Sequence, residues 1–420
     1  MRVHCSGLIA RSLSRPPVHP SSLPRCGQKW SRRSLNAGRR SFQSDSNGRE
    51  QAPDFAFAFD IDGVLVRSSK PIPRASSTLR FLQRNRIPFI LLTNGGGKHE
   101  SERVKDLSVT LSVPLDTSNF IQSHTPFAEL IHGEESLRHK CIMVVGGEYG
   151  RCRNVAERYG FTNVVTPDLA VQQALPARLL CILRAAAPQT DNPTSPEDSL
   201  KIDAVFVYND PRDWGLDMQV ILDVMLSREG IMGTYSSKNG DLSLPNSGFL
   251  QDGQPTLYFS NPDLLWAADY HLSRLGQGGF REALEGLWRA VTYNKNHQHH
   301  KAPKLYKRVI GKPYKTTYTF AEKQLLRYRE ALFGNSLKSP TATKLKRVYM
   351  VGDNPESDIR GANTYESAHG IRWVSLLTRT GVYKDQDGRR PTWEPAAIVD
   401  DVRGAVQWAL KDSNWHQTLE

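Results

Sequence analysis

Phe55-Ala56-Phe57-Ala58-Phe59-Asp60-Ile61-Asp62-Gly63 is five apolar residues running straight into two acids and a glycine. The apolar run is strand-sized, and an acid pair at its end places charge at a strand mouth. Working outward, apolar positions Leu79, Phe81 and Leu82 recur at helical spacing over 74–86. Phe89–Leu92 is a second short apolar run, and it closes on Thr93-Asn94. Residues 99–111 again show helical spacing. Strand, helix, strand, helix with short links predicts an α/β fold built on a parallel sheet. Such sheets bind ligands beyond the carboxyl ends of their strands, where both polar clusters fall.

The rest of the chain repeats the alternation. Cys141–Val145 reads as a strand closing at Gly146-Gly147, followed by a helical stretch to Tyr159. Asp203–Val207 is another strand, ending in Tyr208-Asn209-Asp210, and 216–227 is helical. Residues 185–200, 293–303 and 334–343 read as loops from their composition. Toward the C-terminus, 316–332 is helical and Arg347–Val351 is a strand running into Gly352-Asp353. Gly361-Ala362-Asn363 sits in a helical link before the strand Trp373–Leu377.

Two carboxylates held at one strand mouth repel, so something must compensate them. A hard cation with oxygen ligands does so. Thr93-Asn94 taken alone reads equally as a strand-end turn, Asp353 as a helix cap, and Lys312 as a surface lysine. Their combination is what carries information.

Phe59-Asp60-Ile61-Asp62-Gly63-Val64-Leu65 resembles the first motif of the haloacid dehalogenase superfamily. Thr93-Asn94 resembles the second, Gly311-Lys312-Pro313 the third, and the run from Gly352-Asp353 to Asp358 the fourth, in the family's order. The long segment between the second and third motifs resembles the inserted cap of subclass IIA, and in detail a mitochondrial branch of it. Ser260-Asn261-Pro262-Asp263 and Gly276–Phe280 resemble cap features of that group.

The resemblance implies a Rossmann-like core with a parallel sheet flanked by helices, from 54–139 and 306–420. An α/β C2-type cap over 140–305 would be inserted in it. It implies a Mg²⁺-dependent phosphatase acting on a small phosphorylated substrate. Asp60 would be the nucleophile and Asp62 the general acid and base. Thr93 through its hydroxyl, Asn94 through its backbone N–H and Lys312 through its fixed charge would hold the transferring phosphoryl group. Mg²⁺ would sit on Asp60, Asp353 and the backbone carbonyl of Asp62, with Asp358 orienting metal-bound water or fixing Lys312 and Asn354 in a similar supporting part. A homodimer through the cap is a further expectation. Arg212 or Trp214 is expected to face substrate, with structural capping as the alternative.

The net charge of +12 invites a nucleic-acid partner, but residues 1–44 hold eight Arg, one Lys and no acid. The remainder has 46 basic against 43 acidic residues, so no nucleic-acid binding is expected of it. The Arg- and Ser-rich first 44 residues have the composition of a mitochondrial transit peptide, and a matrix location is expected. No apolar run is long enough to span a membrane. Five cysteines without a Cys-x-x-Cys pair fit neither a disulfide framework nor a zinc site. His297, His299 and His300 read as a solvated loop cluster. A different class of function stands as the rival: a catalytically weak or non-enzymatic protein of this fold with a binding or assembly role in mitochondria. Phosphoprotein hydrolysis is disfavoured by a bulky cap, and dehalogenation by Asp62.

Overall fold

Alternating Phe and Ala sort the two faces of Phe55–Phe59 by size. The computed structural model describes residues 52–148, 150–174, 200–266, 270, 272–293, 301–338, 343–384, 390–417 and 419, and in it the whole strand is buried. Phe55, Phe57 and Phe59 share a core with Leu79 and Leu82 of the helix Ala75–Arg84 and with Ala405, Val406 and Ala409 of the helix Val402–Asp412. Ala56 and Ala58 share the opposite core with Tyr318, Ala321 and Leu325 of the helix Lys315–Phe333. A strand covered on both faces is the condition for a parallel sheet's interior.

Six parallel strands form this first sheet. Their spatial order is Ala397–Val399, Arg372–Thr378, Arg347–Gly352, Phe55–Phe59, Phe89–Leu92 and Phe120–Ile121. From the central strand the chain first builds toward one edge, then returns at Arg347–Gly352 on the other side. Phe59 therefore lies opposite Val351, and the carboxyl ends of two neighbouring strands open a crevice at the point where strand order reverses.

The intervening chain builds a second parallel sheet, ordered Arg308–Val309, Thr256–Phe259, Ala204–Val207, Cys141–Val145 and Asn163–Val165. It has a core on each face, one around Phe280, Leu284 and Trp288 of the helix Gln277–Thr292, the other around Phe127, Phe161 and Phe206. The α/β class and its parallel sheets are those expected. The resemblance places 306–420 with the first sheet, yet Arg308–Val309 hydrogen-bonds onto Thr256–Phe259 of the second. Gly334–Lys338 is a 3₁₀ turn where a loop was expected. No helix of the described residues is long and apolar enough to cross a membrane. The expected presequence, Cys181, the three loop histidines and nearly all of 185–200 lie outside the described residues.

Candidate active site

Asp60 leaves the central strand with its backbone N–H still bonded to Val351 of the neighbouring strand, at 2.9 Å. Its side chain is thereby fixed at the crevice. Lys312 Nζ lies 2.6 Å from Asp60 Oδ1 and 2.7 Å from Asp358 Oδ1, and all three side chains are buried. Asp353 follows the adjacent strand, and its Oδ2 accepts the Val382 N–H at 2.6 Å. A π-helical turn over Pro355–Ile359, capped by Asn354 accepting the Glu356 N–H, folds Asp358 back beneath Asp353. There Asp358 Oδ2 accepts the N–H groups of Asp353 and Asn354 at 3.1 and 3.0 Å.

Asp60, Asp353 and Asp358 each offer a carboxylate oxygen within 4.8 Å of the others'. Asp358, expected only in support, thus joins the cluster. Asp62 lies outside it: its side chain is about half exposed and 3.6 Å from Arg103 of the helix Glu100–Leu111. Gly63 adopts a φ of +93°, and a Cβ there would stand 2.3 Å from Asp353 Oδ2. Any larger residue at Gly63 would collide with the acid cluster.

Thr93 is buried at the next strand end, and its Oγ1 accepts the Gly95 N–H at 2.9 Å. The Asn94 amide is fully committed. Its Nδ2 donates to the Lys312 carbonyl at 2.9 Å and to Asp263 Oδ2 at 3.0 Å, while its Oδ1 accepts the Lys312 N–H at 2.7 Å. Asn94 therefore brackets the lysine loop and the second sheet's linker to the first sheet. These bonds commit the side chain and leave the expected phosphoryl contact to the backbone N–H.

Three carboxylates around one ammonium leave two negative charges uncompensated in a buried site. Burial pushes the Asp60 carboxyl well above its ordinary range; Lys312 opposes this, while Asp358 and Asp353 add to it. Burial, then Asp358, raises Asp353 to about 7. Burial works against the Lys312 ammonium, but Asp358 and Asp60 outweigh it and hold its pKa above the ordinary lysine range. Protein around Asp62 raises that carboxyl too, against Arg103 and Lys312. This donor set, all oxygen and in excess negative charge, suits a hard divalent cation.

The acids floor a cavity of about 660 Å³ whose walls come from both sheets' strand ends. Asn209, Asp210 and Arg212 enter from the second sheet, Asp263 from its linker, and Trp266 and Tyr270 from a short hairpin. Burial raises Asp263 to about 7, with the Asn94 amide opposing. Of the two residues expected to face substrate, Arg212 lines the cavity, 3.8 Å from Glu148. Trp214 instead packs on Phe280 and donates its indole N–H to the Pro211 carbonyl at 3.1 Å. Trp266 and Tyr270 were missed because each sits in or beside a two-residue strand that carries no period.

Residues 57–162 match the family described as haloacid dehalogenase-like hydrolase, and 309–405 match a second description, HAD-hydrolase-like. A mitochondrial hydrolase of Saccharomyces cerevisiae is 38% identical over 389 residues, covering 89% of this chain and 99% of that protein. A cardiolipin synthase (CMP-forming)/mitochondrial hydrolase fusion protein of Schizosaccharomyces pombe is 37% identical over 382 residues. That match covers 88% of this chain, which spans only 56% of the fusion protein's length. Among solved structures, a p-nitrophenyl phosphatase from Archaeoglobus fulgidus shares the fold, with a TM-score of 0.50 at 15% identity over 85% of this chain and 99% of that one. The matched segments hold the acid cluster and its lysine, and a relative matched over nearly its whole length shares more than a third of its residues; the chain belongs to the haloacid dehalogenase-like hydrolase family.

Proposed function

We propose that this protein is a Mg²⁺-dependent phosphomonoesterase acting on a small phosphorylated metabolite in mitochondria. One observation carries the reading. Lys312 is clamped between Asp60 and Asp358, and Asp353 offers a third carboxylate oxygen within 4.8 Å of theirs. Asp60, Asp353 and Asp358, with the Asp62 backbone carbonyl, would hold the ion. Mg²⁺ so held supplies charge neutralisation between an anionic nucleophile and an anionic substrate.

The chain's own groups then have distinct tasks. An Asp60 oxygen attacks phosphorus, forming a P–O bond to the carboxylate while the ester P–O bond breaks. Asp62, whose side chain lines the cavity, gives a proton to the departing alkoxide. It then takes a proton from the water that attacks the aspartyl-phosphate, releasing phosphate and restoring Asp60. Lys312 offers fixed positive charge to the transferring oxygens at no cost of reorganisation. Thr93 shapes the wall beside them through its bond to Gly95.

The second sheet's unit, in this reading, is a cap over the site. A cavity of about 660 Å³ with contributions from both sheets admits a metabolite more readily than a folded protein. Mitochondrial placement rests on the names of the two curated relatives and on the acid-free basic N-terminus.

The test is turnover of an aryl phosphate by purified protein, with Mg²⁺ and with chelator, beside Asp60→Asn. The expectation is metal-dependent release of phosphate that the variant lacks. Equal background in all three would remove the enzyme reading and leave the binding or assembly role.

A further inference from the structure

Thr93-Asn94 is followed by three glycines, Gly95-Gly96-Gly97, and nothing so far requires them. Gly95 and Gly96 line the cavity. A Cβ on Gly95 would stand 3.2 Å from Thr93 Oγ1 and 3.4 Å from Asp62 Oδ2, so this backbone is a wall of the reaction site. The loop is squeezed from both sides. A Cβ on Gly96 would meet His124 Cδ2 at 2.7 Å, and one on Gly97 would meet Asn209 Nδ2 at 2.4 Å. Gly97 also holds a φ of +88°.

His124 is wholly buried, and its hydrogen bonds fix its protonation. The Gly97 N–H points at Nε2 at 3.3 Å, so Nε2 is the acceptor. Nδ1 therefore carries the proton and donates to Tyr159 Oη at 2.7 Å. The Tyr159 hydroxyl then has its own proton free to donate to Glu100 Oε1, which also accepts the Thr125 hydroxyl at 2.6 Å. Every bond in the chain has one direction. Burial pushes His124 down to about 4, consistent with a neutral ring.

The chain also crosses between the two sheets. Glu100 starts the helix Glu100–Leu111 that packs on the first sheet, and His124 follows that sheet's edge strand Phe120–Ile121. Tyr159 ends the helix Arg151–Tyr159, which packs on the second. The same helix end is tied down by Arg158, which reaches Glu102 at 2.5 Å and Ser101 at 2.9 Å.

We propose that His124, Tyr159 and Glu100 are positioning residues. They hold the Gly95–Gly97 backbone against the phosphoryl site and make its shape depend on the second sheet's unit being docked. The inference rests on the phosphatase reading for its catalytic consequence, but not for the loop's attachment. None of the three touches substrate. Their effect reaches the reaction through the glycine wall beside Thr93 and Asp62.

The experiment compares wild type, Tyr159→Phe, His124→Leu and His124→Gln, all as the full chain. Aryl-phosphate kinetics with Mg²⁺ are read beside amide hydrogen exchange of the peptide spanning 93–100. Tyr159→Phe keeps the ring but loses the hydroxyl. Misplacement of a reacting wall costs on the order of 10²-fold, so kcat is expected to fall about 10- to 100-fold with KM changed less than about threefold. Exchange of the 93–100 peptide should quicken in Tyr159→Phe and His124→Leu. His124→Gln, which can both accept from Gly97 and donate onward, should recover most of the lost kcat. Exchange unchanged in folded Tyr159→Phe overturns the proposal, as does quickened exchange with wild-type kcat. If wild type itself shows no turnover, the phosphatase reading fails. Quickened exchange in the variants then still supports the attachment, and its absence still overturns it.

Discussion

Replacing Asp353 with Asn should make the metal-free protein more stable while destroying its response to Mg²⁺. Asp353 is 3% exposed, and its carboxyl is raised from 3.8 to about 7 by burial and by Asp358. Keeping the ionised form in place at that cost corresponds to about 4 kcal/mol once the pH is above 7. The sign follows from linkage. A carboxyl raised in the folded state favours folding below its unfolded pKa, and that contribution is lost as pH climbs through the folded value. Metal-free wild type should therefore lose stability between about pH 4 and pH 7. Asp263, also raised to about 7, titrates in the same window, so only the difference between wild type and variant isolates Asp353.

Asn keeps an oxygen for the Val382 N–H, so the substitution removes charge with little other change. Sharing of the repulsion with Asp358 and Asp60 trims the expected gain to about 2–4 kcal/mol, or about 3–5 °C in a chain of this size. Thermal unfolding in chelator at about pH 4 and about pH 8 measures it. The two proteins should coincide at the lower pH, and the variant should melt higher at the upper. Saturating Mg²⁺ at the upper pH should then raise wild type and leave the variant where it was. A variant equally destabilised at both pH values, or equally stabilised by Mg²⁺, would refute the placement of an uncompensated negative site at Asp353.

Two further substitutions probe the same centre. A Cβ on Gly381 would stand 1.8 Å from Asp353 Oδ2, so Gly381→Ala should displace that carboxylate and weaken Mg²⁺ binding about 10- to 100-fold, read by titration calorimetry. Asp62→Asn keeps the backbone carbonyl but cannot shuttle a proton; kcat should fall about 10²- to 10⁴-fold with Mg²⁺ affinity nearly unchanged, read by the same calorimetry beside steady-state kinetics.

The chemistry at the strand ends was legible because short apolar runs buried on both faces leave few alternatives, and each was followed by its polar group. Asp60, Asp353 and Lys312 are far apart in sequence, yet the parallel order alone brings the two acids to neighbouring strand ends. The contact of Asp358 with Lys312 was legible, but its place in the carboxylate cluster was not. Whether 355–359 winds as an α- or a π-turn decides where that carboxylate lands, and a local hydrogen-bond register has no signature in residue type. Asn94 illustrates a different limit: an amide at a strand end can face ligand or staple loops, and only the positions of Lys312 and Asp263 decide it. His124 offered no periodic partner at all, since Glu100 and Tyr159 meet it through tertiary packing. The helix Gln277–Thr292 was legible in principle, with Phe280, Leu284, Trp288 and Thr292 every fourth residue on its buried face.

The strongest physical case against a purely structural role lies in the cost of the site to the fold. An unpartnered scaffold gains nothing from three buried carboxylates around one ammonium, because removing charge there would relieve repulsion without opening a cavity. The lysine does not balance the acids; it bridges only Asp60 and Asp358 and leaves Asp353 held by the Val382 amide. Two glycines, Gly63 and Gly381, keep side chains off the one oxygen of Asp353 that faces them. A fold that clears room for a repelling carboxylate beside Asp60 and Asp358 makes sense when a cation is to arrive among them. The cavity above, walled by the second sheet's Asn209 and Arg212, then supplies the space in which an anionic ester meets that cation.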